Sequence, residues 1–164
     1  MMSQTQIDKA LDISYKIFMH HYDRNQRRAM KRRTYHFAYI FRRKKILAIG
    51  INGPYDYDSR TRYFGYRYNI HKYKEHSHAH AETDALSKCW GKIMLDSNHT
   101  MIVLRLNNRG ELYNSQPCSP CQTILDQIGF KEIWWSTNDN VFNNQSNETY
   151  VPDLLPYTHH MLEV

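Results

Sequence analysis

Four residues have the types and the spacing of a metal-assisted site. His80 and Glu82 lie in His80-Ala81-Glu82, and Cys118 and Cys121 lie in Pro117-Cys118-Ser119-Pro120-Cys121. Two thiolates and an imidazole are the soft sulfur and borderline nitrogen donors that Zn2+ takes. A Cys-x-x-Cys turn opening a helix sets both sulfurs on one side, and the helix N-terminus favours the thiolate. Structural zinc has four protein ligands, whereas catalytic zinc has three and keeps a position for solvent. Three are legible here: His80, Cys118 and Cys121. Glu82 follows His80 closely enough to sit beside that open position as a proton carrier rather than a ligand. A structural zinc closed by His76 or His78 is the alternative. Otherwise those two histidines read as solvated loop residues, and Cys89 reads as a small buried residue.

These side chains need elements to hold them. Ser3-x-x-Gln6 has the form of a capping box, and Ile7, Ala10, Leu11, Ser14, Ile17 and Phe18 recur at helical spacing, which predicts a helix over about 4–20. Tyr35 to Phe41 and Ile46 to Ile51 read as two strands of a hairpin, joined by Arg42-Arg43-Lys44-Lys45 without an Asn-Gly turn signal. A helix is expected from His80, a buried strand over Thr100 to Leu106, a helix over Cys118 to Ile128 capped by Gly129, and a strand over Lys131 to Thr137. Between hairpin and His80, residues 55–79 show no periodicity and hold six of the thirteen tyrosines, so they read as a loop-like insertion. Alternating helices and strands near the end favour parallel pairing there. The order predicts an α/β protein, a three-layer α/β/α arrangement around a mixed sheet.

The chain has 164 residues with 41% hydrophobic and 23% charged residues, which suits one globular domain spanning 1–164. No apolar run approaches the roughly 20 residues of a membrane span, and the first residues lack the pattern of a secretory signal. Three cysteines are too few for a disulfide framework, which points to a reducing, cytoplasmic setting. The formal charge of +6 fits nucleotide phosphates or nucleic acid, or only solubility. Arg60, Arg62 and Arg67 interleave with Tyr63, Tyr66 and Tyr68, a composition able to stack on a base and to pair with phosphate. A lid or self-association contact would use the same tyrosines. The basic run from Arg24 to Arg33 reads as a solvated helix face or linker.

A His-x-Glu followed by Pro-Cys-x-x-Cys is the signature of zinc deaminases acting on cytosine or adenine. From the hairpin before Asn52 through the strand ending near Ser136, the chain resembles the cytidine and deoxycytidylate deaminase superfamily. The resemblance implies that Asn52, closing Gly50-Ile51-Asn52, hydrogen-bonds the substrate sugar. It implies that the backbone carbonyl of Gln116 meets the exocyclic amine. Two features depart from the pattern: Asp84 stands where many nucleotide deaminases have Asn, and residues 55–79 lack the cysteines of a second zinc site.

The expected function is therefore zinc-dependent hydrolytic deamination of a cytosine nucleotide or nucleoside, deoxycytidylate first among them. Glu82 would be the catalytic group and His80, Cys118 and Cys121 the Zn2+ ligands. Asn52, Gln116, Arg60, Arg62 and Arg67 would bind substrate. Self-association is expected, as in relatives, with no membrane partner. Two alternatives stay open: a deaminase of cytosine or adenine in single-stranded nucleic acid, and a non-catalytic zinc protein that binds nucleic acid.

Overall fold

Among the described residues, seven strands form one mixed sheet in the order β2 (Lys45–Ile51), β1 (Thr34–Arg42), β3 (Thr100–Asn107), β5 (Glu132–Ser136), β6 (Phe142–Asn144), β7 (Thr149–Tyr150), with β4 (Leu112–Tyr113) paired to β3. The computed structural model describes residues 2–25, 34–53, 58–75 and 78–153. Most of the basic run, Tyr55, Tyr57, His76 and the segment from 154 lie outside them. The elements are α1 (Met2–Asn25), β1 (Thr34–Arg42), β2 (Lys45–Ile51), α2 (Ser59–Arg67), α3 (His71–Glu75), α4 (Ala81–Cys89), β3 (Thr100–Asn107), β4 (Leu112–Tyr113), α5 (Ser119–Ile128), β5 (Glu132–Ser136), β6 (Phe142–Asn144) and β7 (Thr149–Tyr150). β3 and β5 run parallel, and every other pair is antiparallel. The predicted α/β class and mixed sheet are what the structure has, with helices on both faces. No described helix is long and apolar enough to cross a membrane.

Alternation along the strands divides the core. Tyr35, Phe37, Tyr39 and Phe41 of β1 and Ile102, Leu104 and Leu106 of β3 face α1, packing on its Ile7, Leu11, Tyr15 and Phe18. Ala38 and Ile40 of β1 and Met101 and Val103 of β3 face the other way, against Phe64, Tyr73, Ala81, Ala85, Leu86, Cys121, Ile124 and Leu125 of α2 to α5.

Two sequence expectations need correction. Ser3 and Gln6 form no capping box, because α1 already begins at Met2. The Ser3 hydroxyl donates to the Glu132 carboxylate, and Gln6 Nε2 donates to the carbonyl of Arg43 at 2.6 Å. Lys9 Nζ donates to the Lys44 carbonyl at 3.1 Å, so α1 holds the polar hairpin turn that lacks Asn-Gly, with Arg43 at φ 54°. Residues 59–75 are also not loop: they carry α2 and α3. Asp58 caps α2, its side chain accepting from the backbone N–H of Arg60 and Thr61 at 3.0 Å each. Apolar periodicity failed there because these short helices bury only Thr61, Phe64, Gly65 and Tyr73.

Candidate metal centre

Two helix starts carry the ligand set. His80 is the residue before α4, with extended φ/ψ of −81° and 145°, and Cys118 holds the same place before α5, at −63° and 161°. Their carbonyls accept the first helical hydrogen bonds, from Asp84 and Gln122 at 2.9 and 2.8 Å. Pro120 starts α5 where its missing N–H is no loss. Both positive helix ends thus meet at the sulfurs and imidazole. Among the described residues, His80, Cys118 and Cys121 form the one group of histidine, cysteine and carboxylate side chains suited to a metal ion, their ligand atoms within 4.8 Å of one another. Cys118 Sγ lies 4.0 Å from His80 Nδ1.

Gly50 sets how closely α4 approaches the sheet. A Cβ there would come within 2.0 Å of the Ala81 carbonyl oxygen and 2.5 Å of the Ala85 nitrogen. Only a residue without a side chain lets the first turn of α4 lie directly on β2. Next along the strand, Gly53 donates its N–H to the Ala79 carbonyl at 3.0 Å, so Asn52 sits beside the segment entering His80. Asn52 Oδ1 accepts the His36 N–H at 3.0 Å and the Asn52 N–H returns to the His36 carbonyl at 3.2 Å. Its Nδ2 has no partner among the described residues.

Glu82 lies in the first turn of α4 and is buried, 6% exposed. Burial pushes its carboxyl above the ordinary range, and the nearby His80 only partly opposes this. His80 is itself raised: burial lowers it, but the hydrogen bond to Cys118 and the charge of Glu82 outweigh that. The two cysteines divide one proton. Cys118 is pulled down to about 3, chiefly by its hydrogen bond with Cys121, whereas burial drives Cys121 well up. The arrangement therefore favours the thiolate form at Cys118.

Tyr73, one of the six tyrosines of residues 55–79, reaches all three side chains of this group. Its hydroxyl is 2.8 Å from Cys121 Sγ, 3.0 Å from Cys118 Sγ and 3.4 Å from His80 Nδ1. The side chain is 1% exposed, and its ring leans on His80 with centroids 5.0 Å apart. Gly65 makes this possible: a Cβ there would lie 2.7 Å from the Tyr73 carbonyl carbon, so α2 and α3 are pressed together. Burial and the neighbouring sulfurs hold the phenol strongly protonated.

The remaining predicted binders are spread out. Arg60 pairs with Asp58 at 2.8 Å and also with Asp84, so two carboxylates already occupy its guanidinium. Asp84 is buried and accepts the Ile51 N–H at 2.9 Å while meeting Lys88 at 3.2 Å, which makes it a clamp between α4, β2 and α2. That is a physical role for the residue that departs from the family pattern. Arg62 lies 5.6 Å over the Tyr66 ring, and Arg67 is exposed in the last turn of α2. Tyr63 and Tyr68 pack with Phe64 around Trp90, and Tyr63 remains 48% exposed. Gln116 is exposed, its N–H on Asn114 Oδ1 at 3.2 Å, one residue before buried Pro117. His78 is exposed and outside the ligand group, and Cys89 is buried, as expected for each.

The fold is α/β with helices on both faces of a mixed sheet, and the site is a partly buried His/Cys/Cys cluster with a buried carboxylate at its side. No protein-family model, curated protein or solved structure matches this chain.

Proposed function

We propose that the chain is a zinc-dependent hydrolytic deaminase of a cytosine nucleoside or nucleotide. The observation that carries this is the placement of Glu82, buried against the His80–Cys118–Cys121 set but not part of it. The donor chemistry suits zinc. Bonds of about 2.3 Å to sulfur and about 2.0 Å to nitrogen place ligand atoms roughly 3.5–4 Å apart, so small movements of these side chains close the set. Zn2+ bound there supplies Lewis acidity and a water-derived nucleophile near neutral pH.

The rest of the reaction falls to the chain. Glu82 accepts a proton from the attacking water and delivers it to ring N3, which makes C4 more electrophilic. The water oxygen adds to C4. Glu82 then carries the second proton to the amine, the C4–N bond breaks, and ammonia leaves uracil behind. A carboxyl pushed upward by burial is suited to alternate between base and acid. Asn52, its carbonyl oxygen taken by β1, offers Nδ2 to the sugar. The Gln116 carbonyl offers an acceptor to the exocyclic amine.

A specific contact favours a second reading. The Tyr73 hydroxyl meets all three ligand atoms. Were it a fourth ligand, the site would be closed, and the protein would be a non-catalytic zinc protein. One experiment separates the two. Zinc-loaded and chelated protein are screened for ammonia release from cytosine, cytidine, deoxycytidine, their phosphates, guanine and short oligonucleotides. X-ray absorption counts the metal's sulfur, nitrogen and oxygen neighbours alongside. Zinc-dependent release from a cytosine compound supports the deaminase; no release, with a phenolate oxygen bound, supports the closed site.

A further inference from the structure

The side of the sheet that carries the metal centre also carries a cation that none of the roles above uses. Arg105 follows Met101 and Val103 on the same side of β3, and His36 precedes Ala38 and Ile40 on that side of β1. The two are direct partners across the ladder. Arg105 also pairs with Tyr113 of β4, and its guanidinium lies 5.8 Å over the Tyr113 ring. Five residues after Tyr113 the chain reaches Cys118. On the other flank, His36 holds Asn52 through both backbone hydrogen bonds. Arg105 thus stands at the end of the sheet between the strand leading to the cysteines and the strand pinning Asn52.

Its chemistry is unfinished. Arg105 is half-buried, and its Nε is out of solvent with no hydrogen-bond partner. No described carboxylate pairs with the guanidinium, in contrast to Arg60 with its two. A cation withdrawn from water without a counter-ion is unfavourable, and a ring face compensates only in part. His36 is lowered to about 4 by burial, then by Arg105 and by His80, so at neutral pH it is an uncharged imidazole beside the Arg105 guanidinium. A guanidinium with an open donor edge and a neutral imidazole beside it suit a dianionic oxyanion, which takes paired N–H donors.

We propose that Arg105, with His36 beside it, is the subsite for the phosphate of a nucleoside monophosphate whose base enters the His80–Cys118–Cys121 centre. This rests on the deaminase reading and narrows it. Of the α2 arginines, Arg60 already has two carboxylate partners and Arg62 a ring, whereas the Arg105 guanidinium keeps its donors for a ligand. Arg105 binds the leaving and entering nucleotide alike, since phosphate is unchanged by the reaction.

The test is calorimetric titration of the zinc-loaded full chain with deoxyuridine 5′-monophosphate, deoxyuridine and inorganic phosphate. The monophosphate is expected to bind about 10- to 100-fold tighter than the nucleoside, the worth of charge-assisted paired hydrogen bonds. Arg105→Gln should erase that advantage and leave nucleoside affinity and zinc content unchanged. Arg105→Lys, which keeps the charge and the packing, should retain only part of it and covers the case in which the Gln variant fails to fold. A monophosphate no tighter than the nucleoside, or an advantage that survives both variants, overturns the proposal. Inorganic phosphate supplies the separate arm: if it binds in wild type, more weakly in Arg105→Lys and not in Arg105→Gln while no cytosine compound releases ammonia, the subsite stands and the deaminase reading falls.

Discussion

Replacing Glu82 by Gln removes a charge while keeping shape, and the structure predicts opposite effects on activity and stability. The carboxylate is 6% exposed, and burial raises its pKa, so the fold tolerates the charge at a cost. The helix N-terminus returns only about 0.3–1 kcal/mol of that. Exchanging a strained active-site group for a neutral one of equal volume is expected to stabilise by about 1–2 kcal/mol. In a chain of this size that is roughly 2–8 °C in Tm. The gain should be read in chelated protein, because a bound cation next to Glu82 relieves the same penalty in wild type. Turnover should fall about 100- to 10,000-fold, the usual weight of a general acid–base. Zinc content should not change, since Glu82 is not in the ligand group. The assay is thermal unfolding with and without chelator, metal analysis, and ammonia release on one preparation. A variant that loses zinc, or that turns over at the wild-type rate, would remove Glu82 from the role given to it. A variant destabilised in the chelated state would show that the buried carboxylate has a structural partner, contrary to the reasoning.

Other perturbations follow from the same geometry. Tyr73→Phe deletes hydrogen bonds that only the metal-free site needs, so chelator competition should show zinc bound about 10-fold tighter, within the range for a charged acceptor; weaker binding would make the hydroxyl a ligand. Gly50→Ala drives a Cβ into the Ala81 carbonyl and Ala85 nitrogen and should cost about 3 kcal/mol or more in urea unfolding; an unchanged midpoint would show that α4 can lift off the sheet freely. Asp58→Ala removes the cap of α2 and should lower Tm by about 2–4 °C at pH 7, for a loss of about 1 kcal/mol. Burial pushes the Asp58 carboxyl up, but the Arg60 guanidinium and the capped N–H groups outweigh that and hold it below its ordinary range. Its contribution is thus complete above pH of about 4 and disappears as pH falls through the folded pKa. A Tm difference that stays constant down to pH 3 would contradict this.

What the sequence made legible was local chemistry and strong periodicity. His80 and the Cys118–Cys121 pair are each tied to a helix start that Pro120 and the following apolar residues announce, so their convergence followed from the order of elements. The strands of β1 and β3 announce themselves because both their faces are buried, one under α1 and one under α4 and α5. α2 and α3 did not, because so few of their residues enter the core that no 3.6-residue stripe forms. Ser3 and Gln6 misled for a related reason: the side chains that cap a helix locally are equally able to reach a distant carboxylate or turn.

Tyr73 and Arg105 show the same limit at the site itself. A tyrosine among five others in residues 55–79 carries no mark of the sulfurs it meets 45 and 48 positions away, and that contact exists only because Gly65 lets α3 close on α2. An arginine in Val103-Leu104-Arg105-Leu106 reads as one polar break in a buried strand. It becomes informative only when the ladder sets it opposite His36, and the absence of a described carboxylate beside it distinguishes it from Arg60. Among the arginines that look like phosphate binders by composition, Arg60 is one whose charge the fold already neutralises. A charge becomes a candidate for ligand recognition through what fails to pair with it. Pairing is a property of tertiary contacts that spacing along the chain does not encode.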